Sequence, residues 1–165
     1  MHDVLIKLNI LFFAVFFSID TFAITNDHQS VDKLVHTFIK AYEKQDLNTI
    51  LKLYASESLA IGTGSDEAAQ GKKQISDALK RDFAEHTDAT ISAEKIAMHI
   101  RNNSAIASYY LIVNVNVKNS APFQSKLRFT VGLEKEHNHW LITQSHLSAP
   151  LEAEKKGESF PHPHA

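Results

Sequence analysis

The chain has 165 residues, 44% hydrophobic and 22% charged, with a formal net charge of −2 and no cysteine. This length fits about one domain, and the composition excludes a disordered chain. The near-neutral charge does not favour nucleic acid or an anionic membrane as a partner, since both require clustered positive charge, and without cysteine the fold has to be stable by packing alone.

Residues 1–23 have the pattern of a secretory signal peptide. Lys7 precedes an apolar run over residues 8–19, which is too short to cross a bilayer of ~30 Å but suits the hydrophobic region of a signal. Thr21 and Ala23 are the small residues that a signal peptidase reads. We therefore expect cleavage after Ala23 and a periplasmic or secreted protein with no membrane attachment. The alternatives are an uncleaved anchor or a buried N-terminal helix.

Two amphipathic helices are predicted next. From about Ser30, apolar residues recur at spacings of three and four, which is the period of one helical face. These residues are Val31, Leu34, Val35, Phe38, Ile39 and Tyr42. Asp46 can cap a second helix over residues 47–54 by accepting hydrogen bonds from its first-turn amides. Two adjacent amphipathic helices need a common apolar partner.

A corner with several glycines follows these helices. Residues 59–61 predict a brief strand, which Gly62 and Gly64 end. Residues 65–67 supply polar turn chemistry, and Gly71 stands just ahead of the next helix. The other elements are expected to pack around this corner.

A third helix and four strands complete the predicted elements. The helix covers residues 72–85, and Asp82 is the polar exception on its apolar face. Beyond residue 90 the apolar period changes to two, which is typical of half-buried strands. The predicted strands cover residues 91–100, 104–117, 124–136 and 140–148.

This order of elements indicates an α+β fold and not an α/β fold. A single antiparallel sheet curled over the three N-terminal helices would bury the stripe of every helix and one face of every strand. We place the domain at residues 24–150. Residues 151–165 are charged and then rich in His and Pro, so we expect a flexible tail.

Two segments resemble a known superfamily. The corner IGTGSDE at residues 61–67 with Gly71, and the closing WLITQSHLSAP at residues 140–150, resemble the nuclear transport factor 2-like superfamily and its SnoaL-like group, which is related to polyketide cyclases and ketosteroid isomerase. The closing segment is also similar to the end of the association domain of calcium/calmodulin-dependent kinase II. The resemblance spans about residues 31–150. It implies a cone-shaped, strongly curved sheet with a cavity at its wide end, and frequent dimers.

The superfamily includes enzymes as well as binding and assembly modules, so the groups of the isomerase have to be sought one at a time. Counting from Gly71, the catalytic Asp of the isomerase matches Gly62, its oxyanion Tyr matches Phe38, and its protonated Asp matches Phe129. A general base needs a titrating group, and an oxyanion site needs donors. These three residues supply neither, so we do not expect that mechanism.

His146 is a candidate catalytic and ligand-binding residue on the last strand. Strict alternation puts it on the same side as Trp140 and Ile142, where it could move a proton or bind an anion near neutral pH. The alternative, which we favour, is a structural histidine hydrogen-bonded near the strand end.

Three carboxylates are further candidates. Asp66 and Glu67 lie next to the predicted cavity mouth and could act as acid and base, although we expect Asp66 to bind turn amides and Glu67 to be solvated. Asp82 could be a site residue or could pair with Arg128 or Lys126. The paired arrangement is the commoner one.

The remaining ligand-binding candidates are tyrosines and an arginine. Tyr54, Tyr109 and Tyr110 could supply hydroxyl groups, since a buried tyrosine needs a partner for its hydroxyl, although core packing would suit at least two of them. Arg128 could bind a carboxylate in a bidentate manner, or lie exposed on the sheet. Trp140, on the predicted pocket side, completes this set.

No metal and no cofactor are expected. A metal site needs three or four converging ligands, and the His-x-His pairs at residues 137–139 and at His162 and His164 offer two each. The segment from Gly64 to Lys72 lacks the spacing of a phosphate-binding loop.

The sequence leaves three functions open. The leading one is an exported domain that binds a small organic molecule in an apolar cavity without catalysis. The second is a cofactor-independent proton-transfer enzyme, isomerase- or cyclase-like, that uses His146 with Asp66 or Asp82. The third is an oligomerising assembly module. We expect a homodimer that forms through the outer face of the sheet. The sequence does not identify the ligand or a use for the histidines of the tail.

Overall fold

The computed structural model describes residues 26–64 and 66–150. The predicted signal peptide, its cleavage after Ala23 and the predicted tail over residues 151–165 lie outside the described residues. Within the described ranges, no helix has both the length and the apolar character needed to cross a bilayer.

The described residues form three helices and six strands. Helix α1 is described over residues 26–43, α2 covers Leu47–Leu53 and α3 covers Gly71–Glu85. The strands are β1 (Tyr54–Ile61), β2 (Ala68–Gln70), β3 (His86–Arg101), β4 (Ser104–Val117), β5 (Phe123–Glu136) and β6 (His139–Ser148). The predicted cap of α2 is confirmed, since the side chain of Asp46 accepts a hydrogen bond from the Thr49 amide at 3.0 Å.

The strands form one sheet in the order β2-β1-β6-β5-β4-β3. Strands β3 to β6 are joined by antiparallel pairings, and β2 pairs antiparallel with β1. The predicted α+β class, with a curved sheet and three helices, is confirmed. The sheet is mixed, however, because β1 pairs in parallel with β6. After β1 the chain crosses over through α3, and the last strand enters beside the first.

The core lies between the helices and one face of the sheet, which we call the inner face. Apolar residues alternate along β4 and β5, as the period of two predicts, and they pack against the predicted stripes of α1 and α3. The buried residues of the two strands include Ala107, Tyr109, Leu111, Leu127, Phe129, Val131 and Leu133. The opposite face, which we call the outer face, carries the alternate residues.

Three strands differ from the prediction, and one of them is β3, which begins at His86 and not at residue 91. Strand β1 begins at Tyr54 and not at residue 59. Its first half was not predicted because a register shift between Tyr54 and Leu59 interrupts the regular alternation of its side chains. The short strand β2 was not predicted, since its three residues are too few to display a period.

Candidate functional site

One part of the interior is filled by aromatic packing. The ring of Phe38 on α1 stacks on Phe129 of β5, with ring centroids 5.5 Å apart, and meets the ring of Tyr54 edge-on at 6.2 Å. We call this part, defined by Phe38, Tyr54 and Phe129, the closed end. Two of the positions that match the isomerase groups are therefore core residues that fill the space.

Polar groups around the closed end have partners. The Tyr54 hydroxyl lies 2.8 Å from the Ser145 hydroxyl, and burial raises the pKa of Tyr54 to about 12. The Ser58 hydroxyl is fully buried and lies within hydrogen-bond distance of two carbonyl oxygens, that of Ala55 at 2.7 Å and that of Ile142 at 2.8 Å. It can donate its hydrogen to either of them. The Trp140 indole N–H donates to Asp27 at 3.2 Å. Satisfied groups of this kind hold the fold together and are not free to bind a ligand.

Tyr109 is also inside the fold and also has a partner. Its hydroxyl donates to Asp32 Oδ1 at 2.8 Å, and Lys95 Nζ donates to Asp32 Oδ2 at 2.8 Å. Burial, together with the hydrogen bond and the negative charge of Asp32, raises the pKa of Tyr109. The phenol therefore stays protonated and links β4 to α1.

Three predicted ligand-binding residues, Tyr110, Arg128 and His146, lie on the outer face. Tyr110 pairs with Arg128 across β4 and β5, and Arg128 is exposed. Lys126 Nζ lies 4.1 Å from the centroid of the Tyr110 ring, a cation–π contact. These side chains therefore face away from Tyr54, Tyr109 and Trp140.

The prediction that His146 shares a face with Trp140 is wrong because β6 contains a bulge. Leu133 pairs with Ile142 but Gly132 pairs with Gln144, so Thr143 is an extra residue in β6. An extra residue reverses the alternation beyond it. Ser145 is consequently buried on the inner face, and His146 is exposed on the outer face.

The other end of the inner face is open to solvent. Along β4, Val113 is 7% exposed, whereas Val115 and Val117 are only partly buried. Along β5, Leu127 is 5% exposed, whereas Phe123, which pairs with Val115 and so shares its face, is 47% exposed. We call this region the open end. Its apolar rim is a part of the inner face that the described residues cover only in part.

The C-terminal ends of α1 and α3 bring a polar cluster to the open end. His86, which follows α3 and pairs with Val117, is 5% exposed. Its ring stacks on Tyr42 of α1, with centroids 5.8 Å apart and an interplanar angle of 16°. Phe83 contacts the His86 ring edge-on at 5.9 Å. The three rings thus form one cluster, in which the imidazole packs against both aromatic rings.

The His86 ring leaves one nitrogen without a partner. Nδ1 lies 2.7 Å from the backbone oxygen of Asp82. Because a carbonyl oxygen can only accept, Nδ1 has to donate, and the neutral ring then carries a lone pair on Nε2. Nε2 is buried and has no hydrogen-bond partner among the described residues. An unsatisfied buried atom of this kind costs about 1–3 kcal/mol and calls for an explanation.

Asp82 adds a carboxylate to the cluster. Within residues 26–64 and 66–150 its carboxylate takes part in no hydrogen bond or ion pair. The predicted pairing with Lys126 is wrong, since Lys126 contacts Glu94 at 3.4 Å, and Arg128 lies on the outer face. Burial, reinforced by the negative charges of Glu67 and Glu85, raises the pKa of Asp82 to about 6.

Glu67 brings a second carboxylate towards this region. Its Oε2 atom accepts a hydrogen bond from the Gly64 amide at 2.8 Å, and a side chain at Gly62 would collide with it. The predicted roles in the turn are therefore reversed, since Glu67 binds a turn amide and Asp66 is exposed. Gly62 has no titrating group of its own, but it allows the carboxylate of Glu67 to approach closely.

Sequence reasoning named Asp82 and Glu67 as candidates but missed His86 and Tyr42 as members of the cluster. The spacing of four between Asp82 and His86 was no reliable signal, because His86 follows the last helical residue of α3 in an extended conformation. Tyr42 was read as part of the α1 stripe, which is correct. Its ring has a second contact because α1 and α3 end at the same place.

Elsewhere the described residues offer weaker sites. A groove of about 270 Å³ lies beside α1 and the β5–β6 turn, where Leu34, Thr37, His139 and Trp140 line it. It is wide open and slightly smaller than typical ligand pockets. No group of three or more metal-ligating side chains lies close enough to hold a metal within the part of the chain that the structure describes. His99, His137 and His139 are all exposed.

Solved structures place this fold in the nuclear transport factor 2-like class. A candidate scytalone dehydratase from Novosphingobium aromaticivorans DSM 12444 has a TM-score of 0.73 at 8% identity, covering 79% of this chain and 89% of that one. A protein of this superfamily from Pseudomonas putida KT2440 has a TM-score of 0.69 at 18% identity, covering 79% and 91%. A candidate calcium/calmodulin-dependent kinase II association domain from Xanthomonas campestris has a TM-score of 0.66 at 22% identity, covering 74% and 86%.

At these identities the structures establish the fold alone. The sequence profile of the SnoaL-like domain matches residues 31–152, so the chain belongs to the SnoaL-like domain family. No curated protein matches the chain in sequence. The predicted family is therefore confirmed.

Proposed function

We propose that the protein binds a small organic molecule at the open end of the inner face, without catalysis. The observation that carries this proposal is the buried, unpartnered Nε2 of His86, whose other ring nitrogen binds the backbone oxygen of Asp82, a residue with an unpaired and partly buried carboxylate. The apolar rim, with Phe123 exposed and Val115 partly buried, lies at the same end of the sheet. Apolar walls with a few convergent polar groups are typical of ligand sites.

A ligand at this place would satisfy groups that the protein leaves unpaired. A donor on the ligand could bind His86 Nε2, and its apolar part could cover the rim. The closed end offers no comparable opportunity, because Phe38 and Phe129 stack there and the Tyr54 hydroxyl already has Ser145 as its partner. These differences support a ligand site at the open end and not at the closed end.

A thermal-shift and native mass-spectrometry screen of small aromatic and alicyclic compounds tests this proposal. A compound at 100 times its Kd should stabilise the fold by about 2.7 kcal/mol. His86→Phe keeps an aromatic ring in the stack but removes Nε2, so it should weaken binding at least tenfold. His146→Ala on the outer face is the matched control and should bind normally. The proposal fails if no compound binds, or if every bound compound binds His86→Phe equally well.

A second candidate function is cofactor-independent proton transfer of the isomerase or cyclase type. It is favoured by the pKa of about 6 that burial gives Asp82, since a general base works best with a pKa near the operating pH. The partner in this version is His86, since His146 and Asp66 are exposed and His146 faces outward. Wild-type protein should then catalyse solvent deuterium exchange into a bound ligand, and Asp82→Asn should slow it at least 100-fold. Absence of exchange with every bound ligand would exclude this function.

We also propose a homodimer that forms through the outer face. Ile106 is 50% exposed and Ile112 37% exposed on the outer side of β4, with Tyr110 between them. Burying this strip would remove apolar area from water. Light scattering should report a dimer for the wild type and a monomer for Ile106→Glu. A wild-type monomer at micromolar concentration would contradict the dimer, and with it the reading of the chain as an assembly module.

Export is a separate proposal. The apolar run over residues 8–19 and the small residues Thr21 and Ala23 support a signal peptide. N-terminal sequencing of protein recovered from the periplasm or medium should begin at Ile24. Recovery of the full-length chain in the cytoplasm alone would contradict export.

A further inference from the structure

We infer that the open-end site selects a small organic cation, an amine whose ammonium group is held by the Asp82 carboxylate and by His86 Nε2. This inference rests on the proposed ligand site and specifies what that site takes. Two polar groups lie at this site without a hydrogen-bond partner among the described residues, the Asp82 carboxylate and His86 Nε2. Both are acceptors, one a carboxylate and the other an imidazole nitrogen whose partner atom Nδ1 already donates.

The charges around the site favour a cation. Glu67, from the turn before β2, and Glu85, on the last turn of α3, both act on Asp82 electrostatically, and both also act on the hydroxyl of Tyr42. The nearby lysine and arginine side chains are engaged elsewhere or exposed. Lys118 Nζ donates to the carbonyl oxygen of Ala84 at 2.8 Å, and Arg81 is exposed to solvent. An anionic ligand would meet several carboxylates at close range, which disfavours it.

The walls of the site suit a cation as well. The rings of Tyr42 and Phe83 lie 5.2 Å apart in an edge-to-face arrangement with an interplanar angle of 66°. The faces of aromatic rings carry partial negative charge and attract ammonium groups. A half-buried carboxylate beside aromatic rings is therefore a suitable environment for an amine.

The number of donors separates an amine from an alcohol. An alcohol has one O–H group and can donate to Asp82 or to His86, but not to both. An ammonium group has several N–H groups and can donate to both acceptors at once. Hydrogen bonds between two charged partners are also shorter and stronger than neutral ones. The site should therefore discriminate by head group more than by the shape of the apolar part.

Three probes with the same phenyl ring test this inference: phenethylamine, 2-phenylethanol and phenylacetate. Affinities for the wild-type protein at pH 7.5 are measured by ligand-observed NMR titration. Phenethylamine should bind at least tenfold more tightly than 2-phenylethanol, and phenylacetate should be the weakest. Asp82→Asn should weaken phenethylamine at least tenfold and 2-phenylethanol less than threefold. His146→Ala should change neither affinity, and circular dichroism should confirm that both variants fold.

The outcomes separate this inference from the function on which it rests. If 2-phenylethanol binds as tightly as phenethylamine and His86→Phe abolishes both, the ligand site stands and the selectivity for cations is overturned. The selectivity is also overturned if Asp82→Asn leaves phenethylamine binding unchanged, or if the His86-dependent compounds from the wider screen are neutral or anionic. If neither the probes nor the screen yields a ligand, both the site and its selectivity fail.

Discussion

The two ends of the interior differ in how their polar groups are used. At the closed end the hydroxyl of Tyr54 binds Ser145, and the rings of Phe38 and Phe129 stack on each other. At the open end aromatic rings also pack against each other, but His86 Nε2 has no hydrogen-bond partner among the described residues. The first arrangement is what a stable core requires, whereas the second costs stability in the free protein.

This difference separates the packing role of an aromatic residue from a binding role. Tyr54 and Tyr42 both lie inside the fold, and burial raises the pKa of both. Only Tyr42, at the open end, stacks on a side chain with an unpaired atom. The useful criterion is therefore the presence of an unpaired polar neighbour, and not burial or residue type.

Replacing Phe129 by alanine should produce the largest loss of stability. Phe129 is 4% exposed and stacks on Phe38, so its removal leaves a cavity that should cost about 3–5 kcal/mol. Phe123→Ala is the matched variant at the open end, where the side chain is 47% exposed, and it should cost less than about 1 kcal/mol. Urea unfolding measures both. Equal losses would show that the open end is packed as tightly as the closed end.

Tyr54→Phe tests whether the hydroxyl pair of the closed end is structural. The variant leaves the buried Ser145 hydroxyl without Tyr54, so unfolding should become easier by about 1–2 kcal/mol. The double variant Tyr54→Phe/Ser145→Ala should recover part of this loss, since neither hydroxyl then remains. Tyr110→Phe on the outer face is the control and should change stability by less than about 0.5 kcal/mol. A loss that is the same in the single and double variants would contradict the pairing.

Asp82→Asn should stabilise the protein at neutral pH. The pKa of Asp82 is raised from 3.8 to about 6 in the folded protein, so the folded state binds more protons than the unfolded state between these values. Stability therefore falls as the pH rises through this window, and the charged carboxylate is unfavourable above it. With solvent screening taken into account, Asn should gain about 1 kcal/mol at pH 7.5.

The pH dependence of that gain provides the check. Urea unfolding of both proteins from pH 4 to pH 8 should give a gain that shrinks as the pH falls and vanishes near pH 4. Asp77→Asn is the control of opposite sign, because the ion pair with Lys73 lowers the pKa of Asp77 and its removal should give no gain in stability at any pH. A gain for Asp82→Asn that is constant over the range would contradict the raised pKa.

His146→Ala should have the smallest effect. The side chain is exposed on the outer face beside Thr130, so its loss should change stability by less than about 0.5 kcal/mol. It should also leave ligand affinity unchanged, as measured by thermal shift with any compound that depends on His86. A loss of affinity would mean that the outer face contributes to the site.

The sequence predicted most of the fold because the period of its apolar residues survives in the structure. Strand β4 has the predicted bounds, and the alternation of Leu127, Phe129, Val131 and Leu133 on β5 became the buried face of the sheet. The α1 stripe and the Asp46 cap were likewise local features, and local features can be read from a single chain. The parallel pairing of β1 with β6 was not local, and no pattern in the sequence indicated it.

The candidate site was predicted less well, for two physical reasons. The bulge at Thr143 adds one residue to β6 and moves His146 to the outer face, and nothing in the alternation of that segment indicates the insertion. His86 is the first residue of β3 and directly follows α3, so neither the helical nor the strand period is established there. Its contacts with Tyr42 and Phe83 depend on where α1 and α3 end in space.

The place of β6 in the sheet also bears on how the chain folds. The last strand lies between β1 and β5, and Tyr54 pairs with Ile142 across most of the domain. Contacts between residues so far apart in sequence slow folding, because a long loop has to close before these contacts can form and stabilise the fold. We expect the β3–β4–β5 meander to form first and β1 to dock last, so pulse-labelled hydrogen exchange should protect amides of β4 before those of β1. Until β6 is in place, the edges of β1 and β5 are unpaired, and this is the stage at which aggregation would begin.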